Sequence, residues 1–127
     1  MIELHKFSLV FPVNISPKVL FKLISTLEGL SRWYADRVII RNGTFVFEWE
    51  GSVQTATLVE SKENEYVRFC WADDFHKGHE MEFRISHEPV SGETALVISD
   101  YAEVDDLKVS QLWWTNQIDR LKRIFHN

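Results

Sequence analysis

The sequence predicts an α+β fold, in which a curved antiparallel sheet of six to seven strands wraps around a long C-terminal helix and two short helices follow the first strand. Three observations predict it. An alternating apolar segment opens the chain and a helical pattern follows. Residues 38–101 then contain short alternating runs separated by turn residues, which is typical of an antiparallel meander. The last segment has an apolar stripe at helical spacing.

The first strand and the first helix are predicted from residues 4–27. Apolar and polar residues alternate over residues 4–13, as in a half-buried strand. Ser16 and Pro17 then supply an N-cap hydroxyl and a proline at the first helical position, where the missing N–H is no loss. Apolar residues at i, i+3, i+4 and i+7 continue the helix.

A second short helix is predicted directly after the first. Ser25 and Glu28 have the spacing of a capping box, in which the serine hydroxyl caps the new helix. This helix runs through Trp33 and Tyr34. The two helices are therefore expected to meet near Ser25 and Thr26.

The meander is divided into strands by its turn residues. Asn42-Gly43 is the strongest hairpin signal in the chain, because both positions of a type I′ turn need a positive φ. The register across Glu50-Gly51 stays open, since a slip of one residue would reverse every face. The predicted strands are residues 38–40, 45–49, 53–59, 66–71, 81–85 and 95–101.

A helix of about five turns is predicted from Asp106 to His126, with Asp105 and Asp106 at its positive end. Leu112 falls on the polar side and is expected to be exposed, which fits a monomer or a weak homodimer. The opposite side must cover a large apolar surface. Its predicted stripe consists of Leu107, Ser110, Gln111, Trp114, Ile118, Leu121 and Phe125.

Length and composition are those of one soluble domain over residues 1–127. Hydrophobic residues are 45% of the chain, charged residues 26% and aromatic residues 13%, which excludes a disordered or fibrous chain. The net charge of −5 would repel a phosphate backbone, so nucleic acid is not an expected partner. The sequence has no apolar run near the roughly 20 residues of a membrane span, and its start lacks a signal-peptide pattern. With the single Cys70, these features predict a cytoplasmic protein.

The motifs that usually carry chemistry are weak or missing. His76, His79 and Glu80 could in principle bind zinc, but they lie in a polar connecting segment, so we expect no metal and no cofactor. Cys70 has no neighbouring base to activate it. The five glycines form neither a nucleophile elbow nor a phosphate-binding loop.

The predicted element order is a helix-grip arrangement, and two motifs resemble a known family. Ile15-Ser16-Pro17 precedes the first helix, and the second helix contains Thr26-Leu27-Glu28-Gly29-Leu30 and then Trp33-Tyr34-Ala35-Asp36. These stretches resemble the opening of START-like domains of the SRPBCC superfamily, especially bacterial domains similar to the activator of the Hsp-ninety ATPase. The resemblance implies a cavity between the sheet and the last helix, often used for lipids, sterols or polyketides.

We therefore expect a cavity that binds a small hydrophobic or amphipathic ligand without catalysis. A fully packed core is the alternative interpretation, because aromatic residues at strand and helix spacing are usually core. The predicted lining residues are Trp33, Tyr34, Phe47, Trp49, Phe69, Trp71, Phe83, Ser110, Gln111, Trp114 and Ile118.

Two other functions stay open. The same cavity could serve a cyclase or dehydratase, with an acid or base among Tyr34, Glu48, Asp100 and Tyr101. A co-chaperone-like interaction module is implied by the resemblance. It would use an acidic surface and exposed apolar residues such as Leu112 and Phe75.

Overall fold

A computed structural model describes residues 3–72 and 78–125. In this part of the chain seven antiparallel strands form one sheet in the order β1-β7-β6-β5-β4-β3-β2. The strands are β1 (His5–Val13), β2 (Arg37–Arg41), β3 (Thr44–Trp49), β4 (Ser52–Lys62), β5 (Tyr66–Trp71), β6 (Glu80–His87) and β7 (Thr94–Ala102). The α-helices are α1 (Pro17–Ser25), α2 (Leu27–Trp33) and α3 (Leu107–Arg123), and a short 3₁₀ helix over Val104–Asp106 precedes α3. The predicted α+β fold is confirmed.

Each strand from β2 to β7 pairs antiparallel with the next one along the chain, and β1 is the edge strand beside β7. In this pairing Phe7 lies opposite Asp100. The hairpin between β2 and β3 turns at Asn42 and Gly43, with φ of 53° and 78°. These positive values are those of a type I′ turn, whose twist matches that of the strands.

The break between α1 and α2 is where the sequence predicts it, but the capping residue differs. The cap of α2 is Thr26, whose hydroxyl accepts a hydrogen bond from the Gly29 N–H at 3.0 Å. Ser25 is still in the last turn of α1, so its hydroxyl donates to the carbonyl of Phe21 instead. The capping box predicted from Ser25 and Glu28 is therefore wrong.

Close packing of α1 on α2 depends on Gly29. A Cβ atom placed there would lie 2.1 Å from the carbonyl oxygen of Lys22 and 2.6 Å from the Cα of Leu23. Both atoms belong to the backbone of α1, which cannot move aside as a side chain could. The glycine in this segment is thus explained by the approach of two helices.

The helix α3 is shorter than predicted and its buried stripe is different. Its buried residues are Trp114, Gln117, Ile118 and Leu121. Phe125, predicted on the stripe, is 44% exposed because it lies beyond the end of the helix at Arg123. Asp106 occupies the N-cap position, but its side chain makes no capping hydrogen bond.

The outer face of the sheet carries a charged ladder. Arg68 pairs with Glu82 at 2.8 Å and with Glu60, and Arg84 also pairs with Glu82 at 2.9 Å. Both guanidinium groups lie over the ring of Tyr66. Burial disfavours the Glu82 carboxylate, but the hydrogen bonds from Arg84 and Arg68 outweigh this effect and lower its pKa.

Candidate functional site

An open cleft of about 460 Å³ lies between one end of the sheet and the N-terminal half of α3. The sheet contributes the ends of β3, β5 and β7 and the start of β4. Aromatic residues make up much of the lining. They are Tyr34, Trp49, Trp71, Tyr101, Trp113 and Trp114.

The aromatic rings of the cleft hold one another in place. Tyr34 stacks on Trp114 with ring centroids 5.5 Å apart and meets Trp49 edge to face at 5.3 Å. Trp113 contacts Trp49 at 5.7 Å and Trp114 at 4.8 Å, again near perpendicular. Offset and edge contacts of this kind are the favourable geometries for aromatic pairs. They give the cleft a preformed apolar wall.

Two polar side chains lie at the bottom of the cleft. Asp100 is only 9% exposed, and its Oδ1 accepts a hydrogen bond from Trp71 Nε1 at 3.3 Å. The buried Tyr34 hydroxyl donates to Met81 Sδ at 3.6 Å. Burial, with a smaller contribution from the negative charge of Asp100, raises the pKa of Tyr34. The phenol is therefore neutral at physiological pH and is available as a hydrogen-bond donor.

A buried glutamine on α3 fixes the position of Tyr34, and sequence reasoning missed it. The Nε2 of Gln117 donates to the carbonyls of Trp33 at 3.2 Å and Tyr34 at 2.5 Å. Trp49 Nε1 donates to the same Tyr34 carbonyl at 2.8 Å. Carbonyls at a helix C-terminus lack partners within the helix, so these donors satisfy the end of α2. The signal in the sequence was the position of Gln117 between Trp114 and Leu121 on the apolar stripe.

The predicted site residues fall into three groups. Five line the cleft: Tyr34, Trp49, Trp71, Ser110 and Trp114. Five others are fully buried in the packed core and are not among the described lining residues: Trp33, Phe47, Phe69, Phe83 and Ile118. Gln111 is exposed on α3 and also lies outside the described lining, because it lies beside the stripe that faces the sheet.

The structure separates the four ionisable candidates. Tyr34, Asp100 and Tyr101 border the cleft. Glu48 instead forms an ion pair with Arg37 at 3.6 Å. It alternates with Phe47 and Trp49 along β3 and so lies on the other face of the sheet.

The mouth of the cleft is acidic. Glu50 and Asp106 are exposed there and Glu103 is half-buried. Asp100 adds a fourth carboxyl group deeper in. Among the described residues that line the cleft there is no lysine and no arginine.

The histidine motif lies only partly in the described structure. His76 falls outside the described residues, as does Phe75, and the ring of His79 contacts Tyr101 at 4.5 Å. Over residues 3–72 and 78–125 no group of three His, Cys, Asp or Glu side chains is placed to hold a metal ion. Cys70 is a half-buried free thiol on β5. In the same ranges no helix is long and apolar enough to cross a membrane.

Solved structures with the same fold have diverse descriptions. The dimeric Aha1 from Colwellia psychrerythraea matches with a TM-score of 0.80 and 16% identity, over 93% of each chain. A protein from Bacteroides fragilis is 28% identical with a TM-score of 0.65, over 100% of this chain and 98% of that one. DynU16, from the dynemicin biosynthetic locus, has a TM-score of 0.76 and 10% identity, over 93% of this chain and 46% of its own. No curated protein matches the sequence.

The family is settled by the sequence itself. The model of the START-like superfamily domain matches residues 1–126, nearly the whole chain. The sheet curved on a long C-terminal helix, with two short helices after the first strand, agrees with that match. The resemblance found in the motifs of α1 and α2 is confirmed, and the chain belongs to the START-like superfamily.

Proposed function

We propose that the chain acts as a single START-like domain that binds a small hydrophobic or amphipathic molecule in the cleft, without catalysis. The observation that carries the proposal is the cleft of about 460 Å³ walled by Tyr34 and four tryptophans. Its volume is within the usual range of small-molecule sites, about 300–1,000 Å³. The few polar groups at its bottom are suited to orienting a ligand.

The size and lining of the cleft favour binding over a purely structural role for these aromatics. Trp113 and Trp49 are only partly buried although they pack against the core. Large aromatic side chains that a ligand covers would lose the remaining contact with water. Burial of apolar surface on binding contributes about 25 cal/mol per Å².

A ligand screen tests the proposal directly. Native mass spectrometry of freshly purified protein should reveal a copurified small molecule. Fatty acids, sterols and aromatic polyketide-like compounds should include one that quenches tryptophan fluorescence saturably. Such a ligand should also raise the melting temperature, because binding to the native state alone stabilises it by about 2.7 kcal/mol at 100 times Kd.

A variant that fills the cleft tests where the ligand binds, and a second variant of the same helix is its control. Ser110→Phe places a large side chain in the cleft, whereas Asn116→Phe adds the same group to an exposed position of the same helix. We expect the first variant to lose binding and the second to keep it. Equal binding by both variants would show that the ligand lies elsewhere, and no binder in the whole screen would contradict the proposed function.

We also propose a cytoplasmic location and a monomer or weak homodimer. The free thiol of Cys70 fits a reducing compartment. Leu112 is 63% exposed on α3, as the sequence predicts, and Val109 is exposed one turn before it. Sedimentation velocity should show a monomer at micromolar concentration, and any dimer should be weakened by Leu112→Ser.

A further inference from the structure

The charges at the mouth of the cleft narrow the class of ligand. Glu50, Glu103 and Asp106 line this cleft together with Trp49 and Trp113. Between the described residues, no ion pair involves any of the three carboxylates. Glu48, Glu60 and Glu82 on the strands, in contrast, each pair with an arginine. Glu50, Glu103 and Asp106 therefore face no cationic side chain among the described lining residues of the cleft.

The aromatic walls have a charge preference of their own. The face of an indole ring is the best side-chain surface for a cation, through the quadrupole of the ring. Four of the five tryptophans of the chain line the same cleft as the carboxylates. Rings and carboxylates thus favour the same sign of charge, and both disfavour a ligand with a carboxylate or phosphate group at the mouth.

We propose that the cleft binds a cationic amphiphile, an apolar or aromatic body carrying an amine or quaternary ammonium group. This inference rests on the proposed function and specifies its ligand. The apolar body packs on Tyr34 and Trp114, which stack at the bottom of the cleft. The ammonium group lies at the mouth, between the indoles of Trp49 and Trp113 and the carboxylates of Glu50, Glu103 and Asp106.

Three probes that share a phenyl group on a short alkyl chain test the charge preference. They are phenethyltrimethylammonium, its neutral isostere 3,3-dimethylbutylbenzene with a tert-butyl group in place of the ammonium, and the anion 4-phenylbutyrate. Binding is followed by ligand-observed NMR at low ionic strength. We expect the cation to bind about threefold to thirtyfold more tightly than the isostere, the range of cation–π contributions, and the anion to bind most weakly. Added salt should weaken binding of the cation and leave binding of the isostere unchanged.

Two variants of equal net charge separate the effect of the cleft carboxylates from the effect of the overall charge of the protein. The cleft variant combines Glu50→Gln, Glu103→Gln and Asp106→Asn. The remote variant combines Glu63→Gln, Glu65→Gln and Glu93→Gln, in the turns at the other end of the sheet. Both change the net charge by the same amount. The cleft variant should lose most of the preference for the cation over the isostere, and the remote variant should keep it.

The outcomes distinguish this inference from the proposed function. If the isostere or the anion binds as tightly as the cation, the cleft takes apolar ligands but not cations in particular, and the inference is overturned. The inference is also overturned if the remote variant loses as much of the preference for the cation as the cleft variant does. If none of the three probes binds, and the broader screen also finds no ligand, the proposed function itself fails.

Discussion

Replacing Gln117 with leucine removes the hydrogen bonds that join α3 to the end of α2. Leucine has a similar volume and suits a site that is only 6% exposed, so packing changes little. The Tyr34 carbonyl keeps the indole N–H of Trp49. The Trp33 carbonyl, however, loses the side-chain donor that the structure gives it. The main cost is therefore one buried acceptor left without this partner.

The magnitude follows from that single acceptor. Leaving a buried polar group unsatisfied costs about 1–3 kcal/mol. For a chain of 127 residues, 1 kcal/mol corresponds to about 4 °C in melting temperature. Gln117→Leu should thus lower the melting temperature by about 4–12 °C. Gln117→Glu should lower it further at neutral pH, because a carboxylate cannot donate and would face two carbonyl oxygens.

Thermal denaturation followed by circular dichroism measures this loss. Asn116→Leu, on the exposed side of the same helix, is the control and should change stability by about 0.5 kcal/mol or less. A Gln117→Leu variant as stable as the Asn116→Leu control would refute the reasoning. So would a Gln117→Glu variant more stable than Gln117→Leu at pH 7.

Three further predictions concern stability. Trp114→Ala should cost about 3–5 kcal/mol, because the side chain is 2% exposed, whereas Leu112→Ala should cost about 0.5 kcal/mol or less; equal shifts in urea midpoint would contradict the orientation of α3. Gly29→Ala should destabilise by roughly 2 kcal/mol or more despite the better helix propensity of alanine, because its Cβ meets the backbone of α1; a rise in melting temperature would contradict the close approach. The pKa of Glu82 in the folded protein is lowered from 4.5. The ionised carboxylate therefore stabilises the fold above pH 4.5, and this stabilisation is lost as pH falls through the folded pKa. Glu82→Gln should therefore cost no more than about 1 kcal/mol at pH 7, and the difference from wild type should shrink below pH 4; a difference that is constant from pH 7 to pH 3 would contradict the shift.

The strands were predictable because local signals agree with the tertiary structure. The predicted strand 66–71 has the observed bounds of β5, Tyr66–Trp71. The turn at Asn42 and Gly43 follows from the positive φ that these residues tolerate. At this turn the hairpin fixes the register of its two strands, so local chemistry is enough there.

The ends of the helices were less predictable, because several residues can satisfy the same backbone groups. Ser25 and Thr26 both carry a hydroxyl able to cap α2. The choice depends on where α1 stops, and Thr26 is the residue with extended backbone, at a φ of −117°. The end of α2 is satisfied from α3, far along the chain, through Gln117. A local sequence pattern cannot predict a contact between residues so far apart in the chain.

The site was only half predictable, because an aromatic residue gives the same signal in a packed core and in the wall of a cleft. Phe83 and Trp114 both face the interior, yet only Trp114 reaches the cleft. The difference arises from the residues around them. At the closed end of the fold the inward positions hold large side chains such as Phe69 and Phe83, and they fill the space under the sheet.

At the open end several lining positions of both layers are small or polar. Ser52 and Gln54 on β4, Ala102 on β7 and Ser110 on α3 all line the cleft. Their summed volume is too small to fill the space that the framework of Tyr34 and the tryptophans keeps open, and close packing elsewhere prevents the layers from collapsing onto it. The cleft thus arises where small or polar residues of the sheet and the helix meet, while the aromatic residues form its walls and keep it open. For this reason Ser110 of the predicted stripe lines the cleft, whereas its exposed neighbour Gln111 is not among the described lining residues.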